Sequence, residues 1–481
     1  MSEIVPGGRV LPKYVHLDMK GGPPTLSYLL TLLPMFKEWG ATGLVVEWED
    51  MFPWSGSLAI LARPGHYTLG MVGELLRTAD QHQLEVIPLV QTFGHMEFVL
   101  KHQEFKHLRE MEMFPNSMMP VAVDSEERGV RMLVTEMLRQ MVSAHTSLAT
   151  LHIGCDEVWC LGQSGLTRQH LETTGKNVTE VFLEHTAMVA STARQIKPGL
   201  KVLVWDDMMR TASVEQLLKA SLDKLVQPVI WSYGQVLAFP PGMIERYQSV
   251  WGESCLWGGS AWRGATGSNI QATSIRHHLD NHLAWLSVLQ ELPDLAGIIM
   301  TGWARYDHYA TLCELLPTSL PSLHCCLAVL NAHGWSKDTH KKCSDSLVLQ
   351  ENIMLEPYMF LTGEEAENPT YPGSNVYSMV LTYIRLAAQF SAIINSSSRA
   401  TWLNPWQVQR GFLNPLQVQV TIHELAVLGD RFKELSLNME TELTDMLHDF
   451  TAEEWVQTNI TPKVGEIDQL VTSVKQQLKL D

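Results

Sequence analysis

The chain has 481 residues, more than one average domain holds, and its 45% hydrophobic and 18% charged content is globular, which excludes a largely disordered chain and predicts a core built without disulfides or metals. A formal charge of −17, with no clustered Lys and Arg, argues against nucleic acid as a partner. The opening MSEIVPGGRV lacks a basic stretch followed by an apolar one and no uninterrupted apolar run reaches bilayer-spanning length, so no membrane partner and a cytoplasmic or nuclear location are expected.

From Tyr14 to Tyr306, short apolar or β-branched runs alternate with segments of helical period, the pattern of repeated βα units. In chain order the runs are YVHLDMK from Tyr14, GLVVEWED from Gly43, EVIPLVQTFGH from Glu85, LHIGCDE from Leu151, KVLVWDDM from Lys201, PVIWSYG from Pro228, CLWGGSAWRG from Cys255 and GIIMTGWARYDHY from Gly297. Eight such runs predict an α/β fold, a (β/α)8 TIM barrel over residues 1–320. Between them, Asp124 and Glu127 have capping-box spacing ahead of an apolar stripe at Val130, Leu133, Val134, Met137, Leu138 and Met141. Asn177 is placed to cap the next helix, and Ile275, Leu279, Leu283, Leu286 and Leu289 trace a further amphipathic face.

Beyond residue 320 the strand signal ends. Val418, Ile422, Leu425, Phe432, Leu435 and Met439 recur at helical spacing, which predicts a C-terminal all-helical domain over 321–481, with Thr362 to Asn375 as an exposed loop. The seven cysteines include no C-x-x-C pair and read as reduced thiols. His278 and His282 have the spacing of a helical metal pair but no third ligand, so they read as ordinary helix-face residues.

In such a barrel the functional face lies at the C-terminal ends of the strands. Near those ends stand Asp18, Glu47, Glu49, Asp50, Asp156, Glu157, Asp206, Asp207 and Asp307, with Trp48, Trp54, Trp205, Trp231, Trp257, Trp262 and Trp303. Taken singly, each acid could be a helix cap and each tryptophan a core residue. Seven of the fifteen tryptophans near one end point instead to a sugar pocket, in which carboxylates accept from hydroxyls and indoles cover a ring's C–H face.

The stretch LHIGCDEVW sets Asp156 beside Glu157 where a strand should end. On a straight strand the two would face opposite ways, so both reach one site only if the chain turns there. Two close carboxylates raise the pKa of one, which can then serve as a general acid. Adjacent residues do not supply the second carboxylate that most glycosidases place across the bond; substrate-assisted families, in which a 2-acetamido group attacks, do not need it.

At these residues the sequence resembles glycoside hydrolase family 20, and over almost its whole length the hexosaminidase D group within it. HIGCDE matches the family's H-x-G-x-D-E; PLVQTFGH (Pro88 to His95), EDMFPW (Glu49 to Trp54), WDDM and IWSYG also agree. The resemblance implies an exo-acting β-N-acetylhexosaminidase with no cofactor and a glycan as partner. Asp156 would orient the acetamido group, Glu157 would protonate the leaving oxygen and then activate water, and Tyr233 would hydrogen-bond the acetamido oxygen. Trp205, Trp231 and Trp303 would wall the pocket.

The first run lacks the arginine that many members use to grip sugar hydroxyls, and Gln91 stands where they often carry aspartate, which leaves the galacto or gluco preference open. Asp18, His95 and Asp307 are the expected substitutes. Two other readings stand beside this one: a two-carboxylate retaining glycosidase with Glu253 as nucleophile, and a catalytically silent glycan-binding protein. The C-terminal helices are a possible homodimer surface.

Overall fold

The computed structural model describes residues 11–120, 129–347, 353–356 and 370–479. The parallel strands β1 (Lys13–Asp18), β2 (Gly43–Glu47) and β3 (Glu85–Leu89) are followed by an antiparallel hairpin, β4 (Arg109–Met111) and β5 (Phe114–Met118). The series resumes with β6 (Thr150–His152), β7 (Lys201–Trp205), β8 (Gln227–Trp231), β9 (Trp257–Arg263) and β10 (Gly297–Gly302), and β10 pairs with β1 to close an eight-stranded barrel. Each barrel strand coincides with a predicted run, β1, β6 and β8 beginning one residue earlier.

The hairpin was not predicted, because FPNSM carries proline and asparagine and has little strand propensity. Docking holds it: Met118 N–H donates to Phe93 O at 2.9 Å and Met96 N–H to Asn116 O at 2.8 Å, which fastens β5 to the loop after β3.

Inside the barrel, Tyr14, Val45, Ile87, Leu89, Leu203, Trp205, Val229, Trp257 and Ile299 form one packed cluster. The opposite strand faces pack against the ring of helices, as period-two strands buried on both sides require. The stripe from Val130 to Met141 is buried on the helix Val130–Ala144, whose N-cap is Gly129; Asp124 and Glu127 lie outside the described residues. Asn177 caps Val178–Ile196 with a reciprocal box: Asn177 Oδ1 accepts from Glu180 N–H at 2.9 Å, and Glu180 Oε2 from Asn177 N–H at 3.1 Å. On Ile275–Glu291, Ile275 and Leu279 are buried, while Leu283, Leu286 and Leu289 pack half-buried against the core.

Positions 320 and 321 both lie inside the helix Leu316–Ala332, which packs on Ile275–Glu291 and β9 on one side and on Ser374–Ile394 on the other. Such a helix is apolar nearly all round because it is covered from both sides. The helices Ser374–Ile394, Pro415–Met446, Asp449–Asn459 and Thr461–Leu478 enclose a second core containing Val418, Ile422, Leu425, Phe432, Leu435 and Met439. Most of the loop expected between Thr362 and Asn375 lies outside the described residues.

Ser374–Ile394 is long and apolar enough by length and composition to cross a bilayer, although Arg385 interrupts it. Its Val376, Val380 and Tyr383 are buried in the second core. That helical region also reaches the barrel's mouth: Thr451 Oγ1 donates to Gly21 O at 3.0 Å, and Arg305, after β10, pairs with Glu454.

Candidate active site

Strand β6 ends at His152, and Ile153 to Glu157 form a turn beyond it. Gly154, Cys155 and Glu157 have φ of +68°, +68° and +50°, left-handed values that non-glycine residues adopt rarely. This sequence of left-handed residues reorients the chain so that Asp156 and Glu157 both reach the same imidazole, the turn that the adjacent carboxylates required. Surrounding contacts hold the strained backbone. Thr92 Oγ1 donates to Ile153 O at 2.6 Å, and Glu157 N–H donates to Asp207 Oδ2 at 2.9 Å. Gly94 passes so close that a Cβ there would lie 1.9 Å from Asp156 O.

His95, itself at φ +50° on the loop after β3, points its Nε2 at both carboxylates, 3.4 Å from Asp156 Oδ2 and 3.2 Å from Glu157 Oε2. Burial disfavours its charge, but Asp156, Glu157 and Glu97 outweigh that and raise its pKa to about 10. Asp156 is 6% exposed, and burial, Asp207, Glu47 and Glu157 together push its carboxyl up to about 7 against the pull of His95. The hydrogen bond from His95, reinforced by its charge and that of Lys20, holds Glu157 below the usual carboxylate range. One member of the pair is raised, as the sequence implies, but it is Asp156 and not Glu157, the candidate acid.

Around this trio runs a ring of polar groups from separate strand ends. His16 Nδ1 accepts from Gly302 N–H at 3.2 Å, which leaves Nε2 to face Glu47 Oε2 at 3.0 Å, and Gln91 Nε2 donates to Glu47 Oε1 at 3.1 Å. Lys20 Nζ stands 3.4 Å from Glu49 Oε1 and 3.6 Å from Asp18 Oδ2, and 5.5 Å over the Trp303 ring. His308 Nε2 meets Glu49 Oε2 at 2.7 Å, while Asp50 Oδ2 binds Lys101 Nζ at 2.9 Å.

Tyr233 stacks on Trp231 with ring centroids 5.0 Å apart, and its hydroxyl lies against Thr301 and Trp303, within electrostatic reach of Asp156 and Glu157. Trp231 Nε1 donates to Asp207 Oδ1 at 3.2 Å, so Asp207 joins one pocket wall to the backbone of Glu157. Trp231 and Trp303 are half-buried at the mouth.

The other expected site residues stand differently. Trp205 is 1% exposed and packs between His152 and Trp303, so it underlies the pocket as floor rather than wall. Asp18 accepts from Lys20 N–H at 2.8 Å and Ala304 N–H at 2.9 Å, fastening the loops after β1 and β10. Asp307 Oδ1 accepts from Tyr309 N–H at 2.7 Å and Ala310 N–H at 2.9 Å and so shapes a turn. Trp48, Trp54 and Trp262 are core residues, and Trp257 begins β9.

Glu253 precedes β9, at the end of the barrel opposite Asp156, so it is no nucleophile for that site. His282 Nε2 meets Ser260 Oγ at 2.9 Å, and both His282 and His278 are fully buried in the contact between their helix and β9. Sequence reasoning missed Lys20, Glu97 and His308, which no local pattern marks.

The sequence model of the family 20 glycosyl hydrolase catalytic domain matches residues 33–235. A human protein named Hexosaminidase D is 36% identical over 475 residues, covering 96% of this chain and 94% of its own. The chain belongs to glycosyl hydrolase family 20. It is therefore a glycoside hydrolase. A bovine protein of the same name is 45% identical over 326 residues, 67% of this chain and 92% of its own. Among solved structures, a β-N-acetylhexosaminidase superposes with a TM-score of 0.50 at 15% identity, covering 70% of this chain and 75% of its own, a likeness of fold.

Proposed function

We propose that this family 20 enzyme is an exo-acting β-N-acetylhexosaminidase that removes terminal non-reducing N-acetylgalactosamine or N-acetylglucosamine with net retention, the substrate's own 2-acetamido group acting as nucleophile. The observation that carries this reading is the placement of Asp156 and Glu157 on one imidazole nitrogen, at 3.4 and 3.2 Å. A protein nucleophile would have to attack from the face opposite the acid. Two carboxyls gathered on one nitrogen do not span a sugar ring in that way, which favours attack by the substrate's own acetamido group.

In this mechanism Asp156 accepts from the acetamido N–H and balances the charge that forms on it. Tyr233 donates to the acetamido oxygen, Glu157 protonates the leaving oxygen and later deprotonates water, and Trp231 and Trp303 cover the ring's apolar face. Of the two carboxyls Asp156 has the higher proton affinity, whereas catalysis needs the proton on Glu157. Both arrangements hold the same number of protons, so substrate entry has only to move one within a coupled group that His95 Nε2 touches on both sides.

The test is hydrolysis of paired aryl β-glycosides that differ only in a 2-acetamido or 2-hydroxyl group, with wild type, Asp156→Asn and Glu157→Gln. Turnover of the acetamido substrates alone, lost in both variants, supports the mechanism. Equal turnover of the 2-hydroxyl substrates moves the nucleophile onto the protein. Saturable binding without turnover of any of them returns the glycan-binding reading.

A further inference from the structure

We infer that Cys343 and Cys325 form a modification site on the outer helices: a small hydroperoxide oxidises Cys343, Cys325 closes a disulfide with it, and a dithiol reductant reopens the pair. This inference goes beyond the hydrolase reading and stands independently of it.

Helix packing brings the two sulfurs together. The short connection 333–336 turns the helix Lys337–Ser346 back onto Leu316–Ala332, and the two pack against each other. His324 Nε2 meets Ser346 Oγ at 2.6 Å across 22 positions of chain, and Ser346 Oγ donates to Cys343 O at 2.9 Å, which fixes the register. Cys343 lies about one turn before Ser346, and Cys325 is the next residue after His324. Both steps lead toward the connection, so the two thiols reach the same level of the antiparallel pair. There they hydrogen-bond to each other, and His324 also reaches Cys343. His340, within electrostatic reach of Cys343, is fixed by its own bond, Nε2 donating to Ile353 O at 2.9 Å. Both cysteines are free thiols.

The two sulfurs differ in the way that an attacking and a resolving thiol must. The hydrogen bond from Cys325, followed by His324 and the charge of His340, holds the Cys343 thiol below the usual range against the opposing effect of burial. Burial, with Cys343 beside it, pushes the Cys325 thiol well up. A thiolate attacks a peroxide, and a neighbouring thiol captures the product. In the first step the Cys343 thiolate attacks the terminal oxygen of the hydroperoxide, the O–O bond breaks, the alkoxide takes up a proton, and the sulfur becomes a sulfenic acid. Next the Cys325 sulfur attacks that of Cys343, its proton leaves with the hydroxyl group, and water departs. Two thiols lose two electrons and the hydroperoxide gains them. With Cys343 2% and Cys325 0% exposed, the site admits a small peroxide more readily than a bulky disulfide.

The test is peptide mapping of the full folded chain after treatment with hydrogen peroxide, the remaining thiols being blocked with N-ethylmaleimide. Wild type is expected to lose two thiols, to yield a cross-linked Cys325–Cys343 peptide, and to recover both thiols in dithiothreitol. Cys325→Ala should stop at a sulfenic acid that dimedone labels on Cys343. In Cys343→Ala, oxidation of Cys325 should slow on the order of tenfold or more, because the attacking thiolate is gone. The wild-type map needs no variant, so it decides the question even if a variant fails to fold. Between pH ~7 and pH ~9 the wild-type rate of thiol loss should change little, whereas the rate of an ordinary thiol climbs with its thiolate fraction. Thiols that survive peroxide in the folded chain, a cross-link between other cysteines, a cross-link that forms only in urea, or a rate that climbs with pH as an ordinary thiol's does would each overturn the proposal.

Discussion

His95 Nε2 lies 3.2 Å from Glu157 Oε2, and this contact holds the pKa of the candidate proton donor below the usual carboxylate range. His95 thus keeps two neighbouring carboxyls from facing each other uncompensated. His95→Gln should lower kcat/KM on the order of 10²-fold, the low end for a group that manages a proton in catalysis. It should also raise the pKa of Glu157, because the first cause of its depression is gone. The stability effect has a definite sign. A histidine raised from about 6.5 to about 10 stabilises the fold fully below the lower value and loses that contribution as pH rises through the upper one. Urea denaturation should therefore show a difference between wild type and variant that is fully developed below about pH 6.5 and shrinks as pH rises toward about 10.

Asp207 offers a test of the pair's shared proton. Its carboxyl, raised to about 6 mainly by burial, is one of the negative neighbours that push Asp156 up to about 7. Activity should fall as pH rises through the latter value, because the pair then loses the proton it needs. Asp207→Asn removes a negative charge, lowers the pKa of Asp156 and should move this alkaline limb of kcat/KM to lower pH. An Asn carbonyl can still accept from Glu157 N–H, so the turn survives. An unmoved limb would show that another group controls the proton.

The barrel was readable because its signal is local: each strand is a short apolar run, and HIGCDE carries the turn and both carboxyls within six residues. What could not be read is which strand-end acids face substrate. Asp18 looks like a site residue in sequence, yet Ala304, 286 positions away, occupies one of its oxygens. Glu49 takes its partners from the loops after β1 and β10, and Lys20 and His308 belong to no motif. Such roles are set by barrel closure, which joins the two ends of the series. The hairpin escaped for a related reason, since its strands form by docking and not by propensity.

Gly94→Ala probes the strained turn without touching a reactive group. The added methyl would sit 1.9 Å from Asp156 O, a backbone atom that can retreat only by moving the carboxyl pair. Overpacking of this kind costs about 1–3 kcal/mol. Chemical denaturation should show that loss, and kcat should fall further than stability alone explains, since about 1 Å of misplacement can cost about 10²-fold in rate. Full activity in a destabilised variant would mean that the turn tolerates displacement.

Lys20→Met separates structural from functional use of the buried cation at the mouth. Burial alone would lower the pKa of this ammonium, but Asp18, Glu49, Glu47 and Glu97 more than reverse that, so it is charged at neutral pH. Removing it leaves Glu49 and Asp18 facing each other's charge, with His308 the remaining partner of Glu49. Breaking a buried pair in this way costs about 3–5 kcal/mol. Lys20 also stands over Trp303 and helps depress Glu157, so the alkaline limb of the activity profile should shift together with stability. A variant as stable as wild type would show that the ammonium is held by packing and not by its carboxylates.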